Sequence, residues 1–140
     1  MIRRFKISDI ERVMQIWFDV NTHTHNFISE SYWEDNFDSV KNILPQAEIY
    51  VYEADSDIQG FIGLKDNYIA GIFVDENMQS KGIGKQLLDF VKGIKNSLTL
   101  QVYTKNERAV KFYERENFKI HEEKTDENTK EHELLMLWKR

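Results

Sequence analysis

Apolar residues recur along this chain with two periods, and the switches between them lay out its elements. Ile10, Val13, Met14, Trp17 and Phe18 fall three and four apart, which gathers them on one face of a helix. Ser8-Asp9-Ile10-Glu11 has the form of a capping box, so this helix is expected to start at Asp9 and to run to about Asp19 or Val20. A short strand, Ile2 to Ile7, precedes it. Asn21 to Asn26 is polar and aperiodic and reads as a loop. Tyr32, Trp33, Phe37, Val40 and Leu44 then give a second helix from about Glu30 to Ile43, closed by the only proline, Pro45.

From Ala47 the period changes to two. Ala47 to Glu53 alternates, Asp55-Ser56-Asp57 turns, Ile58 to Leu64 returns, and Lys65-Asp66-Asn67 turns again into Tyr68 to Val74. This predicts an antiparallel meander. Ile83, Leu87, Phe90, Val91 and Ile94 restore helical spacing, and Ser97 to Tyr103 is a further strand, so a βαβ unit with its two strands parallel is expected. Thr104 to Glu107 offers caps for a last helix bearing Ala109, Phe112 and Tyr113, and Asn117 suits its left-handed end. Two strands close the chain, Phe118 to Lys124 and Glu133 to Trp138. The order is strand, two helices, three strands, helix, strand, helix, two strands: an α/β protein with a mixed sheet.

Gln79-Ser80-Lys81-Gly82-Ile83-Gly84-Lys85 lies between the fourth strand and the third helix. Two glycines one residue apart let the backbone pass close to a ligand, and the first N–H groups of a helix lack intrahelical acceptors at the positive end of its dipole. Phosphate oxygens suit such a place. Lys81 and Lys85 add positive charge and Gln79 an amide donor, so a ligand carrying a pyrophosphate is expected. The stretch lacks the GxxxxGK followed by Ser or Thr of a P-loop and the third glycine of the dinucleotide fingerprint.

At 140 residues the chain is expected to be one domain, residues 1–140, and 41% hydrophobic with 13% aromatic content is that of a globular protein. A net charge of −5, from 19 basic and 24 acidic residues, argues against nucleic acid and favours a cationic substrate. The absence of cysteine excludes disulfides, thiolate metal sites and a cysteine nucleophile. No apolar run approaches the roughly 18 residues of a membrane span, and the N-terminus has no signal-peptide core, so a cytoplasmic protein is expected.

Gln79-x-x-Gly82-x-Gly84, together with Asn106-x-x-Ala109-x-x-Phe112-Tyr113-x-x-x-Asn117-Phe118 one βαβ unit later, resembles the GNAT superfamily of acyl-CoA N-acyltransferases. The resemblance covers nearly the whole length. It implies a mostly antiparallel sheet with a parallel pair at the fourth and fifth strands, and transfer of acetyl from acetyl-CoA to an amine. The backbone of Ile72, Phe73 and Val74 would pair with the pantetheine arm, and Gln79, Ser80, Lys81, Gly82, Ile83, Gly84 and Lys85 would hold the pyrophosphate. Asn106 would contact acetyl-CoA, and Tyr113, about two helical turns further on, would lie near the sulfur. Two positions depart from the family pattern: Glu76 stands where proline is common and Asn117 where glycine is.

Such a reaction needs a polarised carbonyl, a deprotonated amine and a proton for the thiolate. A backbone N–H near Val74 would stabilise the oxyanion, and Tyr113 would return a proton to sulfur. His25, ahead of His23, is the candidate to act on the amine or bind it, since imidazole titrates in the useful range; a water chain ending on a glutamate or on backbone is the alternative. His23-x-His25 lacks a third ligand, so no metal is expected. Trp17, Tyr32, Trp33 and Phe37 are expected in the core, with one or two lining the acceptor pocket. The acceptor is a small-molecule or peptide amine, the protein a monomer or homodimer. A non-catalytic acyl-CoA-binding module is the competing reading, and a different phosphate-binding α/β protein a third.

Overall fold

The structure, a computed structural model, describes residues 1–140. Its elements are β1 (Ile2–Arg4), α1 (Ile10–Thr24), α2 (Glu30–Ile43), β2 (Glu48–Ala54), β3 (Asp57–Lys65), β4 (Tyr68–Val74), α3 (Ile83–Ile94), β5 (Ser97–Tyr103), α4 (Glu107–Arg115), β6 (Lys119–Thr125) and β7 (His132–Lys139). All seven strands join one sheet in the order β1-β2-β3-β4-β5-β7-β6. Every neighbouring pair is antiparallel except β4 and β5. The mixed α/β class and the parallel pair are those expected from the sequence.

Alternation along the strands divides the apolar side chains between the two faces of the sheet. On one face Leu87, Leu88 and Val91 of α3 pack with Ile62, Leu98, Leu100 and Met136. On the other, Val13, Met14 and Trp17 of α1 and Trp33 of α2 cover Val51 and Phe61. Each such side chain removed from water stabilises the fold by about 1.5–3 kcal/mol. The β2–β3 turn is the two-residue kind that matches strand twist: Asp55 and Ser56 both have positive φ, 54° and 62°.

Three expectations near the N-terminus need correction. β1 stops at Arg4, and Ser8 does not cap α1. A 3-10 turn over Ile7–Asp9 precedes the helix instead, and the Asp9 carboxylate reaches back to the Lys6 N–H (2.8 Å) while taking both arms of Arg3 (2.9 and 3.0 Å). A carboxylate is the stronger acceptor, and the guanidinium fork holds it there. The third correction concerns Asn21 to Thr24, expected in a loop and found in α1. Asn21 and Thr22 bond back to the carbonyls of Trp17 and Phe18 (both 2.9 Å), so their polar groups are satisfied inside the helix, and Val20 and Asn21 are buried. The helix therefore carries His23 on its last turn and ends with His25 as its C-terminal cap.

The site arises where the sheet opens. β4 pairs with β5 only at Tyr68↔Thr99 and Ile69↔Leu100. Just beyond, Ala70 is an extra residue opposite the Gly63–Leu64 step of β3, and this bulge bends β4 away. Gly71 to Val74 keeps its β3 partners and has no strand on its other edge.

Candidate active site

Two cavities flank that opening. The larger, about 620 Å³, runs from the β4 edge over the glycine turn to α4; the smaller, about 280 Å³, lies toward α1 and α2. Ile72, Asn106, Ala109 and Tyr113 line both. These residues form the wall between the two chambers.

The larger cavity draws together most of the residues singled out in the sequence: Ile72, Val74, Gln79, Ser80, Gly82, Ile83, Gly84, Lys85, Asn106 and Tyr113. Ser80 and Gly82 adopt left-handed φ of 65° and 84°, turning the chain so that α3 begins at Ile83. The first intrahelical bond is donated by Gln86 to the Gly82 carbonyl, leaving the N–H groups of Ile83, Gly84 and Lys85 directed out of the helix end. A Cβ built on Gly84 meets only Ile72, Val74 and Phe112, each at 3.9 Å, so packing does not require glycine there. What a side chain would fill is the cavity beside β4.

Other members sit differently from the simplest expectation. The Gln79 amide donates to the Val74 carbonyl (3.2 Å), which ties the loop to β4. Lys85 is exposed and bridges Asp89 and Glu116, both at 3.1 Å. Lys81 lines neither cavity. Phe73 stacks on Phe61 and lines the smaller cavity. Two cations escaped attention in the sequence: Arg108, whose guanidinium donates to the Ser80 hydroxyl at 2.6 Å, and Arg115, both lining the larger cavity. They are seven residues apart, the same spacing as Asn106 and Tyr113, and that helical signal was available. With Lys85 they make the groove cationic, and no carboxylate lines it.

Asn106 caps α4 with its side-chain oxygen, which accepts from the Ala109 N–H at 3.3 Å. Its Nδ2 faces His25 Nε2 at 3.4 Å, and His25 Nδ1 lies 3.0 Å from Asn21 Oδ1. Because the Asn21 nitrogen is already given to Trp17, its oxygen must accept, and the tautomer follows: His25 carries hydrogen on Nδ1 and accepts from Asn106 on Nε2. His25 is packed among Phe27, Trp33 and Tyr103, and this burial lowers its pKa to about 4. His23 is exposed on the surface, paired with Glu76, with its pKa raised by the Asp19 carbonyl and then by Glu76.

Tyr113 is 9% exposed and its hydroxyl makes no hydrogen bond within the protein. Burial pushes its pKa well above the ordinary phenol value, with a further push from Tyr68. The phenol is thus protonated at neutral pH, with its donor free. Trp17 and Trp33 line the smaller cavity as well as the core, together with Tyr68, Gln101 and Glu133. Nothing local marks the last three, since strand pairing alone brings them in. No helix of the chain is long and apolar enough to cross a membrane.

Comparison with known proteins bears on the family and the fold. Residues 45–120 match the family described as an acetyltransferase (GNAT) domain. The chain is 31% identical over 140 residues to the peptidyl-lysine N-acetyltransferase YiaC of Escherichia coli (strain K12), covering 99% of this chain and 96% of that protein. It is 32% identical over 120 residues to the peptidyl-lysine N-acetyltransferase YjaB of Salmonella typhimurium, covering 85% and 83%. Among solved structures, the apo form of Escherichia coli YjaB superposes with a TM-score of 0.87 at 27% identity, over 99% of this chain and 96% of that one. PaiA N-acetyltransferase from Thermoplasma acidophilum, solved with coenzyme A, has the same fold (TM-score 0.86, 23% identity, 100% and 98% covered).

Proposed function

The chain belongs to the GNAT acetyltransferase family, and from that premise we propose that it moves acetyl from acetyl-CoA to the ε-amine of a peptide lysine, with Tyr113 protonating the leaving thiolate. The observation that carries this reading is the position of Tyr113 between two chambers of opposite character, one cationic and one without lysine or arginine. The relatives' description as peptidyl-lysine N-acetyltransferases supports lysine as the acceptor.

The larger groove suits coenzyme A in each of its parts. The free amides of Ile83, Gly84 and Lys85 would take the pyrophosphate, and Arg108 and Arg115 would add guanidinium contacts to phosphate oxygens. Ser80 and Gln79 shape the turn, while Gly84 leaves room beside Ile72 and Val74 for the pantetheine arm. Bound there, acetyl-CoA supplies an activated acyl group and a thiol leaving group. The unpaired β4 edge at Ile72, Phe73 and Val74 offers backbone donors to the thioester carbonyl oxygen. Tyr113 gives its proton to sulfur. A phenol titrates near about 10 and a thiol near about 8.5, and burial raises Tyr113 further, so this transfer is uphill and depends on position. His25, neutral with both nitrogens engaged, acts in this reading by holding Asn106 at the wall rather than by taking the amine proton.

Release of free thiol from acetyl-CoA, followed against lysine peptides, N-terminal amines and small amines with mass identification of the product, tests the reading. We expect ε-acetyl-lysine as the main product and loss of turnover in Tyr113→Phe with acetyl-CoA binding retained. Saturable binding of acetyl-CoA without turnover on any amine would instead make the protein a binding module.

A further inference from the structure

Glu133 is the one carboxylate lining either cavity. It stands near the start of β7, directly opposite Tyr103 of β5 and Lys124 of β6, so these three share a face of the sheet. Its side chain makes no hydrogen bond or ion pair within the protein. Gln101 and Tyr103 of β5, Tyr68 of β4 and Trp33 of α2 complete the surrounding wall. The Trp33 indole nitrogen, on a side chain 7% exposed, is buried without an acceptor. The Glu133 carboxylate, with no cation bonded to it, is left for an occupant of positive charge to satisfy.

We propose that Glu133 binds the ammonium group of the acceptor and takes its proton, so that the smaller chamber selects amines that arrive charged. This rests on the acetyl-transfer reading above and extends it to the acceptor side. The ammonium loses one proton to the Glu133 carboxylate, and the freed lone pair bonds to the acetyl carbon as the C–S bond breaks. Of the two protons remaining on nitrogen, one passes to the Tyr113 oxygen as the phenol gives its own proton to the thiolate, leaving amide, thiol and neutral phenol; the proton on Glu133 returns to solvent. His25 is poorly suited to this step, because its ring accepts from Asn106 and burial has lowered its basicity.

The groups facing Glu133 agree with the role. Burial, and then the charge of Asp126, raise its pKa, while Lys124 opposes them. Asp126 is held by the Tyr103 hydroxyl at 3.1 Å, and Tyr68 and Tyr32 both feel the Glu133 charge. A carboxyl of raised pKa is the better proton acceptor.

Glu133→Gln, nearly isosteric, separates the outcomes. On a lysine peptide at pH 7 we expect kcat/KM to fall on the order of 10²–10³-fold. The deficit should shrink toward pH 10, where the amine is increasingly deprotonated, and should be small at pH 7 for a hydrazide, whose amine is already neutral. A deficit of equal size at every pH and for both amines, or none at all, overturns the proposal. Binding of n-butylammonium in the presence of coenzyme A, followed by tyrosine ring NMR signals, supplies a readout independent of turnover. Weaker binding to the variant than to the wild type supports the role even if no lysine is acetylated, in which case only the transfer reading fails; equal binding counts against it.

Discussion

The ionisation of His25 ties stability to the geometry of the site. Its folded pKa is lowered to about 4 from an ordinary value of 6.5 by burial. A group that resists protonation in the fold and accepts it in the unfolded chain costs stability as pH falls below the unfolded value. Above about pH 6.5 it has no effect, and below about 4 the loss is complete. Each pH unit between those two values is worth about 1.4 kcal/mol, so the full loss is about 3 kcal/mol and the part reached by pH 5 about 2 kcal/mol. Down to pH 5 the effect is read above most carboxylate titration. His23, whose pKa is raised, acts in the opposite sense and only weakly because it is exposed.

Urea unfolding at pH 7.5 and pH 5.0 measures the effect. With a slope of about 2 kcal/mol/M, the wild-type midpoint should drop by roughly 1 M, and that of His25→Gln by much less. NMR titration should show one histidine with a midpoint near 4. Protonation would also set an N–H of His25 against the Asn106 amide, releasing the group that caps α4. The reasoning fails if both proteins lose stability in parallel, or if His25 titrates near 6.5.

The other expectations concern the two chambers. Tyr113→Phe should lower kcat on the order of 10²-fold or more while leaving the acetyl-CoA dissociation constant within about threefold; a change confined to KM would remove Tyr113 from the proton transfer. Gly84→Val should raise KM for acetyl-CoA at least tenfold with an unchanged circular dichroism spectrum, since the new side chain occupies the groove beside Ile72 and Val74; unimpaired binding in calorimetry would place the ligand elsewhere. Arg108→Ala should weaken coenzyme A binding about 10–100-fold, the worth of a charged hydrogen bond, and flatten its salt dependence. Equal affinity for the variant at low salt would count against a phosphate contact.

Much of the architecture was written in local patterns. α2, α3, β4 and β5 have the bounds that periodicity and breakers predicted, because their signals lie within a few residues: Pro45 after α2, Gly82 before α3, alternation in Ser97–Tyr103. The end of α1 was not, because Asn21 and Thr22 look like loop residues until the helix offers their side chains carbonyls four residues back. The glycine turn and the Asn106–Tyr113 spacing could likewise be read as a binding device from the chain alone.

Sequence by itself thus determined the order of elements, the glycine-lined helix start and the helix face that carries Asn106 and Tyr113, since each depends on neighbours along the chain. Only tertiary structure decided that Ala70 bulges and parts β4 from β5, that His25 is buried and neutral against Asn106, and that Glu133 lines the cavity opposite the cationic groove. Those facts depend on strand pairing and on desolvation by residues far apart in the chain. No local pattern encodes how much water a side chain will lose.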